Sequence, residues 1–132
     1  MRHLSFLLFV CAFFTLASCS RKSHPSGSED NGKMVTEKGQ ASYYGDKFEG
    51  RKTANGEIFS QQKMTAAHRT LPFGTIVLVK NISNGKTVKV RINDRGPFVS
   101  GRIIDLSRAA ASALGYINAG LASVEISYLK AK

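Results

Sequence analysis

The sequence has no tryptophan, only two cysteines and three histidines, and nine acids against 19 bases. Both cysteines, Cys11 and Cys19, lie near the N-terminus, so no disulfide can stabilise the rest of the chain. His3 and His24 also precede the part expected to fold, which leaves His68 as its one histidine and argues against a metal site. A Gly-x-Ser-x-Gly nucleophile motif is missing too. We therefore expect neither a metal nor another cofactor.

The first 18 residues have the pattern of a secretory signal peptide, with positive charge ahead of an apolar stretch at 4–16. That stretch is too short to span a bilayer permanently. Leu-Ala-Ser-Cys at 16–19 is similar to the bacterial lipobox, which implies cleavage before Cys19 and a lipid on its sulfur. The alternative is an ordinary signal peptide with a chance cysteine. Residues 1–18 are thus predicted to be removed.

Residues 19–38 are polar and contain proline and glycine, which predicts a flexible tether with too little apolar surface to fold. The tether would hold a folded domain at 39–129 just off a membrane, facing the periplasm. Ser20 stands where an aspartate would retain a lipoprotein in the inner membrane. In a Gram-negative host we therefore expect the outer membrane.

The net charge of the chain limits the classes of molecule that we expect it to bind. Without the signal peptide the chain keeps 18 of its 19 Lys and Arg and all nine acids, a net charge of +9 (18 − 9). An exported basic chain meets envelope polyanions, such as anionic lipid and the carboxylates of peptidoglycan, rather than nucleic acid. A solvated basic surface explains the charge equally well. We expect no nucleic-acid partner and a monomer.

Alternation of apolar and polar residues predicts five or six short strands, among them 41–44, 75–81, 86–92, 102–106 and 121–128. Ser-Asn-Gly at 83–85 predicts a hairpin between two of them. Ser107 predicts the N-cap of a short helix at 108–114, and 64–68 is predicted to be a helical turn. Many short strands and few helices favour a small β-barrel.

Two carboxylates, Asp94 and Asp105, lie eleven positions apart (105 − 94) on either side of a Gly-Pro turn. With Glu57 and His68 they are the titratable residues that we place around one cleft, whose possible walls are Tyr43, Tyr44, Asn55, Arg95 and Arg102. The two adjacent tyrosines point to opposite faces of a strand, so at most one faces the cleft. Carboxylates beside aromatic rings suit a sugar polymer, because protonating a glycosidic oxygen requires a carboxylic acid.

Each acid also has a purely structural interpretation. Asp94 could cap its own turn, and Asp105 could complement the N-terminus of the following helix. Glu57 and His68 could be exposed residues of a turn and of a one-turn helix. Spacing alone does not decide between these alternatives and catalysis.

Four motifs together resemble the rare lipoprotein A (RlpA) family: GQASYYG at 39–45, TANGE at 53–57, TAAHRTLP at 65–72, and the stretch at 90–107. The resemblance covers nearly all of 39–128. It implies a mainly β fold, a six-stranded double-psi β-barrel with one or two short helices. It also implies a lipobox, as found here.

The resemblance implies an endolytic peptidoglycan transglycosylase. Such an enzyme cleaves strands of N-acetylmuramic acid (MurNAc) and N-acetylglucosamine (GlcNAc), in better-known members after removal of the peptides, and leaves 1,6-anhydroMurNAc ends. By motif it implies catalytic roles for Glu57, His68 and Asp94, and related barrels keep Asp105 as a candidate. We expect Asp94 to be the acid and base, oriented by Glu57 and His68. The expected substrate-binding residues are Tyr44, Thr53, Asn55, Arg95 and Arg102.

Many family members carry a C-terminal SPOR domain, whereas this sequence ends at Lys132. We therefore expect glycan affinity to depend on the basic surface and the lipid tether. The alternative function is that of a non-catalytic, expansin-like wall-binding lipoprotein, since a fold alone does not define an activity. The lack of tryptophan weighs against it, because such binding usually uses a flat aromatic platform. Endo and exo modes are not distinguished by the residues themselves.

Overall fold

A computed structural model describes residues 32–130. It contains six strands and one α-helix: β1 (Lys33–Tyr43), β2 (Thr65–Ala67), β3 (Ile76–Asn81), β4 (Thr87–Asp94), β5 (Arg102–Leu106), α1 (Arg108–Ala113) and β6 (Ala122–Lys130). A 3-10 turn at Asp46–Phe48 follows β1. The predicted signal peptide, the lipidation site Cys19 and most of the predicted tether lie outside the described residues.

The six strands close into a barrel in the order β1-β5-β2-β4-β3-β6. The pairs β1–β5 and β2–β4 are parallel, and the other four pairs are antiparallel. Closure leaves no sheet edge unpaired. The mainly β fold and the six-stranded barrel expected from the resemblance are confirmed. Over residues 32–130 no helix has the length and apolarity that crossing a bilayer requires.

The barrel interior is filled by the apolar residues of the alternating strands. In β4, Val90 and Ile92 are buried, and in β6 the alternate residues from Ala122 to Tyr128 are buried while those between them face outward. β3 and β4 form the predicted hairpin, whose turn contains Gly85 at a φ of 74°. These elements form where the sequence predicted them, because one face of each is apolar.

The short helix α1 packs against strands β1, β4 and β5. Its N-cap is Ser107, whose Oγ accepts a hydrogen bond from the Ala110 N–H at 3.3 Å, as predicted. At the other end, the Asn81 and Asn84 side chains both donate to the Leu114 carbonyl oxygen. The β3–β4 hairpin therefore satisfies the carbonyl group that the end of the helix leaves unpaired.

The prediction that residues 19–38 form a tether is wrong for its last part, since β1 begins at Lys33. Nine residues of β1 pair with β6, from Lys33 opposite Lys130 to Ala41 opposite Ala122. The first inward positions of this strand, Val35 and Glu37, are only half-buried. Because they need not be apolar, the segment lacks the alternation that would have predicted a strand.

The prediction of a helical turn at 64–68 is also wrong, because Thr65–Ala67 forms β2. This strand pairs with β4 on one side and with β5 on the other. All three of its residues are buried, with exposed fractions of 3% or less. Pairing on both sides, together with the hydrogen bond from the Thr65 N–H to the Lys63 carbonyl oxygen, gives this segment backbone partners, which outweighs the helical preference of two alanines.

Replacement of Gly39 by alanine tests the packing between β1 and β5. A Cβ atom at this position would lie 2.6 Å from Cγ2 of Ile103. We expect Gly39→Ala to lower the free energy of unfolding by about 1–3 kcal/mol, the usual cost of overpacking. Gly45→Ala is the control, because a Cβ there meets no atom within 4 Å and its φ of −68° suits alanine. Urea unfolding of both variants checks this, and equal stabilities would contradict it.

Candidate active site

An open cleft of about 370 Å³ lies beside the ends of β1 and β4 and the start of β5. Its walls come from the segment after β1, from the Gly-Pro turn after β4, and from β5. The lining residues are Tyr44, Phe48, Arg51, Lys52, Asp94, Arg95, Gly96, Pro97, Phe98, Arg102 and Asp105. Both aspartates singled out in the sequence therefore face the same space.

Asp94, the last residue of β4, faces the cleft with a carboxyl group whose hydrogen-bonding positions are nearly all occupied. Its Oδ1 accepts hydrogen bonds from the N–H groups of Ala54 at 2.9 Å and Arg95 at 2.8 Å. Its Oδ2 accepts one from the Tyr44 hydroxyl at 2.6 Å. A carboxylate has about four positions for accepting hydrogen bonds. One position, on Oδ2, is thus left without a partner among the described residues.

Asp105 is the second carboxylate of the cleft and is held by a cation. Its Oδ1 accepts from the Ser42 hydroxyl and from Arg102 Nη2, each at 2.6 Å. Ala67 of β2 lies opposite Asp105 on one side and opposite Asp94 on the other. Two strand spacings place the backbones of the acids about 10 Å apart. Among residues 32–130 no group of three His, Cys, Asp or Glu is placed to hold a metal ion.

Tyr44 joins the carboxyl group of Asp94 to an aromatic wall. Its ring packs against Phe59 at 4.4 Å and Phe48 at 5.5 Å between centroids. Burial, and then the hydrogen bond to Asp94, raise the pKa of the Tyr44 hydroxyl, which therefore stays a donor at neutral pH. Tyr43 points the other way and donates to the Ile117 carbonyl oxygen. As predicted, only one tyrosine of the pair faces the cleft.

Glu57 does not line the cleft. Arg91 binds both of its carboxylate oxygens, at 2.6 and 2.9 Å, and Asn93 donates to it at 3.1 Å. The hydrogen bonds from Arg91, then those from Asn93, lower the pKa of Glu57 to about 2. Glu57 is therefore ionised at neutral pH and cannot donate a proton there. It anchors the loop in which Ala54 donates its N–H to Asp94.

His68 is also outside the cleft and is almost fully buried. Its Nδ1 accepts from the N–H groups of Thr70 and Leu71, each at 3.2 Å, so the neutral ring carries its proton on Nε2. Burial lowers its pKa, although Glu37 at 3.9 Å acts in the opposite direction. The backbone N–H of His68 donates to the Asp94 carbonyl oxygen at 3.2 Å. The side chain thus stabilises a turn next to Asp94.

The expectation that Glu57, His68 and Asp94 line one groove is therefore wrong. Only Asp94 lines it, and Asp105 is the residue that joins it there. The Glu57 carboxylate is instead bound by Arg91, and the His68 ring accepts hydrogen bonds from two backbone N–H groups of its own turn. Their predicted orienting roles would act through the backbone around Asp94.

Two of the expected substrate-binding residues stabilise a loop instead of lining the cleft. Thr53 donates its hydroxyl to Oδ1 of Asn55 at 2.6 Å, and the same oxygen accepts the Glu57 N–H at 3.0 Å. The Asn55 N–H donates to the Asn93 carbonyl oxygen. Thr53 and Asn55 therefore fix the TANGE loop against β4.

The two arginines expected to bind substrate, Arg95 and Arg102, do line the cleft, but their guanidinium groups already have partners within the protein. Arg95 donates to the Leu71 carbonyl oxygen at 2.9 Å and lies over the Phe73 ring at 3.8 Å from its centroid. Arg102 is paired with Asp105. Neither guanidinium is fully available to a substrate anion.

Sequence reasoning missed several wall residues, namely Phe48, Arg51, Lys52, Pro97 and Phe98. Phe98 is 83% exposed, the highest value among the exposed large apolar residues of the described chain. An exposed aromatic residue beside a cleft indicates a binding surface. The available signals were the basic pair at 51–52 and an aromatic residue directly after the Asp-Arg-Gly-Pro turn.

A protein-family model described as lytic transglycolase matches residues 36–126. The endolytic peptidoglycan transglycosylase RlpA of Vibrio cholerae is 57% identical over 96 residues, which are 73% of this chain and 36% of that protein. Its counterpart in Neisseria meningitidis is 55% identical over 91 residues, 69% of this chain and 38% of that protein. The chain thus spans little more than a third of the length of these relatives.

Solved structures share the fold. The Streptomyces papain inhibitor superposes with a TM-score of 0.59 at 24% identity, over 73% of this chain and 96% of that one. A Clavibacter michiganensis expansin in complex with cellohexaose gives a TM-score of 0.56 at 23% identity, over 73% of this chain and 51% of that one. At these identities the similarity shows a common barrel.

The lowered pKa of His68 predicts how stability depends on pH. The unfolded chain takes up a proton near pH 6.5, whereas the folded chain does not until a lower pH. Stability from neutral His68 is therefore present above pH 6.5 and is lost as pH falls, by up to about 1.4 kcal/mol per pH unit. Urea unfolding between pH 7 and pH 5 measures the slope. His68→Gln should flatten it, and an unchanged slope in that variant would contradict the assignment.

Proposed function

The chain belongs to the lytic transglycolase family of double-psi β-barrels, and on that basis we propose that it is a peptidoglycan lytic transglycosylase. In this proposal it cuts MurNAc–GlcNAc strands internally, after their peptides have been removed, and leaves 1,6-anhydroMurNAc ends. The observation that carries the proposal is the carboxyl group of Asp94. It lies in an open cleft, is fixed by three hydrogen bonds, and has one free position on Oδ2.

The cleavage needs one group that first gives and then takes a proton. Protonated Oδ2 of Asp94 donates to the glycosidic oxygen as the bond from that oxygen to C1 of MurNAc breaks. The same oxygen then accepts the proton of the MurNAc C6 hydroxyl, whose oxygen bonds to C1 and closes the anhydro ring. The proton lost in the first step is regained in the second, and no water is consumed.

The fixed charge of Asp105 supports this chemistry. Positive charge develops at C1 as the glycosidic bond breaks. The Asp105 carboxylate, held by Ser42 and Arg102, lines the same cleft as Asp94 and can stabilise that charge. The backbones of the two acids lie two strand spacings apart, one on each side of Ala67 of β2.

The aromatic wall supports binding of a sugar chain. Phe98 and Phe48 line the same cleft as the two acids, and Phe98 is largely exposed. Pyranose rings have apolar faces that pack on flat aromatic rings. The Phe98 ring provides such a surface in a chain that has no tryptophan. We propose Phe98 as a stacking residue of the glycan site.

We also propose that Cys19 carries a lipid and that the barrel acts from a membrane surface facing the periplasm. The support is the lipobox-like sequence at 16–19, which follows an apolar stretch. In a Gram-negative host, Ser20 favours the outer membrane. A lipid anchor would keep the cleft close to the cell wall.

Asp94→Asn tests the central assignment. The amide keeps the shape of the side chain but cannot donate and regain a proton at Oδ2. We expect release of oligosaccharides with 1,6-anhydroMurNAc ends from peptide-stripped sacculi to fall at least 100-fold, within the usual contribution of general acid–base catalysis. Mass spectrometry of the soluble products measures this.

The matched control for that experiment is Glu125→Gln, which neutralises an acid paired with Lys38 on the outside of the barrel. It should keep full activity. If a folded Asp94→Asn variant releases products at the normal rate, Asp94 is not the acid. If neither the Asp94→Asn variant nor the Glu125→Gln control releases products although both bind sacculi, the wall-binding alternative replaces the proposed function.

Tyr44→Phe tests the hydrogen bond that orients Asp94. It removes the hydroxyl group donating to Oδ2 while the ring keeps its contacts with Phe48 and Phe59. A hydrogen bond to a charged group contributes about 1.5–3 kcal/mol, so kcat should fall roughly 10- to 100-fold with little change in KM. Tyr43→Phe, which loses a hydroxyl on the opposite face, should leave kcat unchanged. Equal effects of the two variants would contradict the role of Tyr44.

A further inference from the structure

We propose that Arg51 and Lys52 form a carboxylate subsite, which binds the lactyl carboxylate of MurNAc and makes the cleft prefer strands whose lactyl groups are free. The inference rests on the proposed function, in which peptide-free strands are the substrate, and it assigns the residues that recognise such strands. A lactyl group that carries a peptide is an amide and has no charge at this point. At the lactyl carboxyl position itself, the two kinds of strand thus differ by one negative charge on each MurNAc.

Ion pairing distinguishes Arg51 and Lys52 from the other two cations of the cleft. Arg102 is paired with Asp105, and Arg95 is taken up by backbone carbonyl oxygens and an aromatic ring. Arg51 and Lys52 are exposed and form no ion pair with any carboxylate of residues 32–130. They are the cations of the cleft that an incoming anion can reach.

The backbone that carries these two cations is well ordered by hydrogen bonds. The Gly50 N–H donates to the Phe59 carbonyl oxygen at 3.0 Å, and the Phe59 N–H donates to that of Arg51 at 2.7 Å. Lys52 forms a β-bridge with Ile58. The Arg51 guanidinium also lies over the Phe48 ring at 5.8 Å from its centroid. A short ladder therefore fixes the backbone of the subsite before substrate binds, which lowers the entropic cost of binding.

The same segment runs directly to the catalytic carboxyl group. Ala54, two residues beyond Lys52, donates its N–H to Oδ1 of Asp94 at 2.9 Å. Two residues of extended chain span about 7 Å. In MurNAc the lactyl ether is attached at C3 of the ring whose C1 takes part in the cleavage. A ring whose C1 faces Asp94 therefore brings its carboxylate within reach of the subsite.

Binding measurements on the full chain with Asp94→Asn, which prevents cleavage, test the subsite. The probes are peptide-free glycan oligosaccharides with free lactyl carboxylates and the same oligosaccharides as methyl esters. We expect the free acid to bind about five- to tenfold more tightly at low salt, in line with partly exposed ion pairs. The preference should shrink as salt is raised, because exposed charges are screened.

The added double substitution Arg51→Gln and Lys52→Gln should abolish this preference. The control pair, Lys80→Gln and Lys89→Gln, removes the same charge from exposed residues of β3 and β4 and should keep it. A preference that survives loss of Arg51 and Lys52, or its absence with both residues present, would overturn the subsite.

Cleavage by the chain with Asp94 intact is scored separately. A charge preference lost only with Arg51 and Lys52, but without any anhydro product, would support the subsite and refute the proposed function. Release of anhydro product without a charge preference would support the proposed function and refute the subsite.

Discussion

The whole site depends on a strand of only three residues. Thr65–Ala67 forms β2, which joins β4 to β5 and so completes the barrel between the two strands that carry the cleft acids. Ala66 packs in the barrel core and Ala67 on the opposite face of β2, and both small side chains are almost fully buried. Ala67 lies opposite both Asp94 and Asp105. A shift of one residue in either pairing would turn one acid to the other face of the sheet.

Several residues around this strand position Asp94 and do not line the cleft themselves. The ion pair of Glu57 with Arg91 ties the TANGE loop to β4, and that loop supplies an N–H to Asp94. On the other side, His68 organises a turn whose Leu71 carbonyl oxygen accepts from Arg95. The TANGE loop thus holds the carboxyl group of Asp94, and the turn at His68 holds its carbonyl oxygen and the neighbouring Arg95. A group that transfers protons must be held this firmly, because small displacements lower the rate steeply.

Local signals in the sequence were sufficient for the strands with a regular apolar face, for the β3–β4 hairpin and for the helix cap at Ser107. They failed for β2, because three buried residues show no period, and for the start of β1, whose inward Val35 and Glu37 are only half-buried. The motifs identified Asp94, but not where the Glu57 side chain points. Its direction is set by Arg91, 34 positions away in sequence, and no local pattern contains that information.

The state of the two cleft acids also bears on the choice between lytic cleavage and hydrolysis. An inverting hydrolase needs one carboxyl group to protonate the leaving oxygen and another to activate water. Asp105 is committed through Oδ1 to a guanidinium and a hydroxyl, which suits a fixed charge better than a proton acceptor. Asp94 has an open position on Oδ2 and is held by three uncharged donors, whereas Asp105 is held by a cation. A site with one proton-transferring group needs a substrate that supplies its own nucleophile, and in the proposed reaction the C6 hydroxyl of MurNAc meets that requirement.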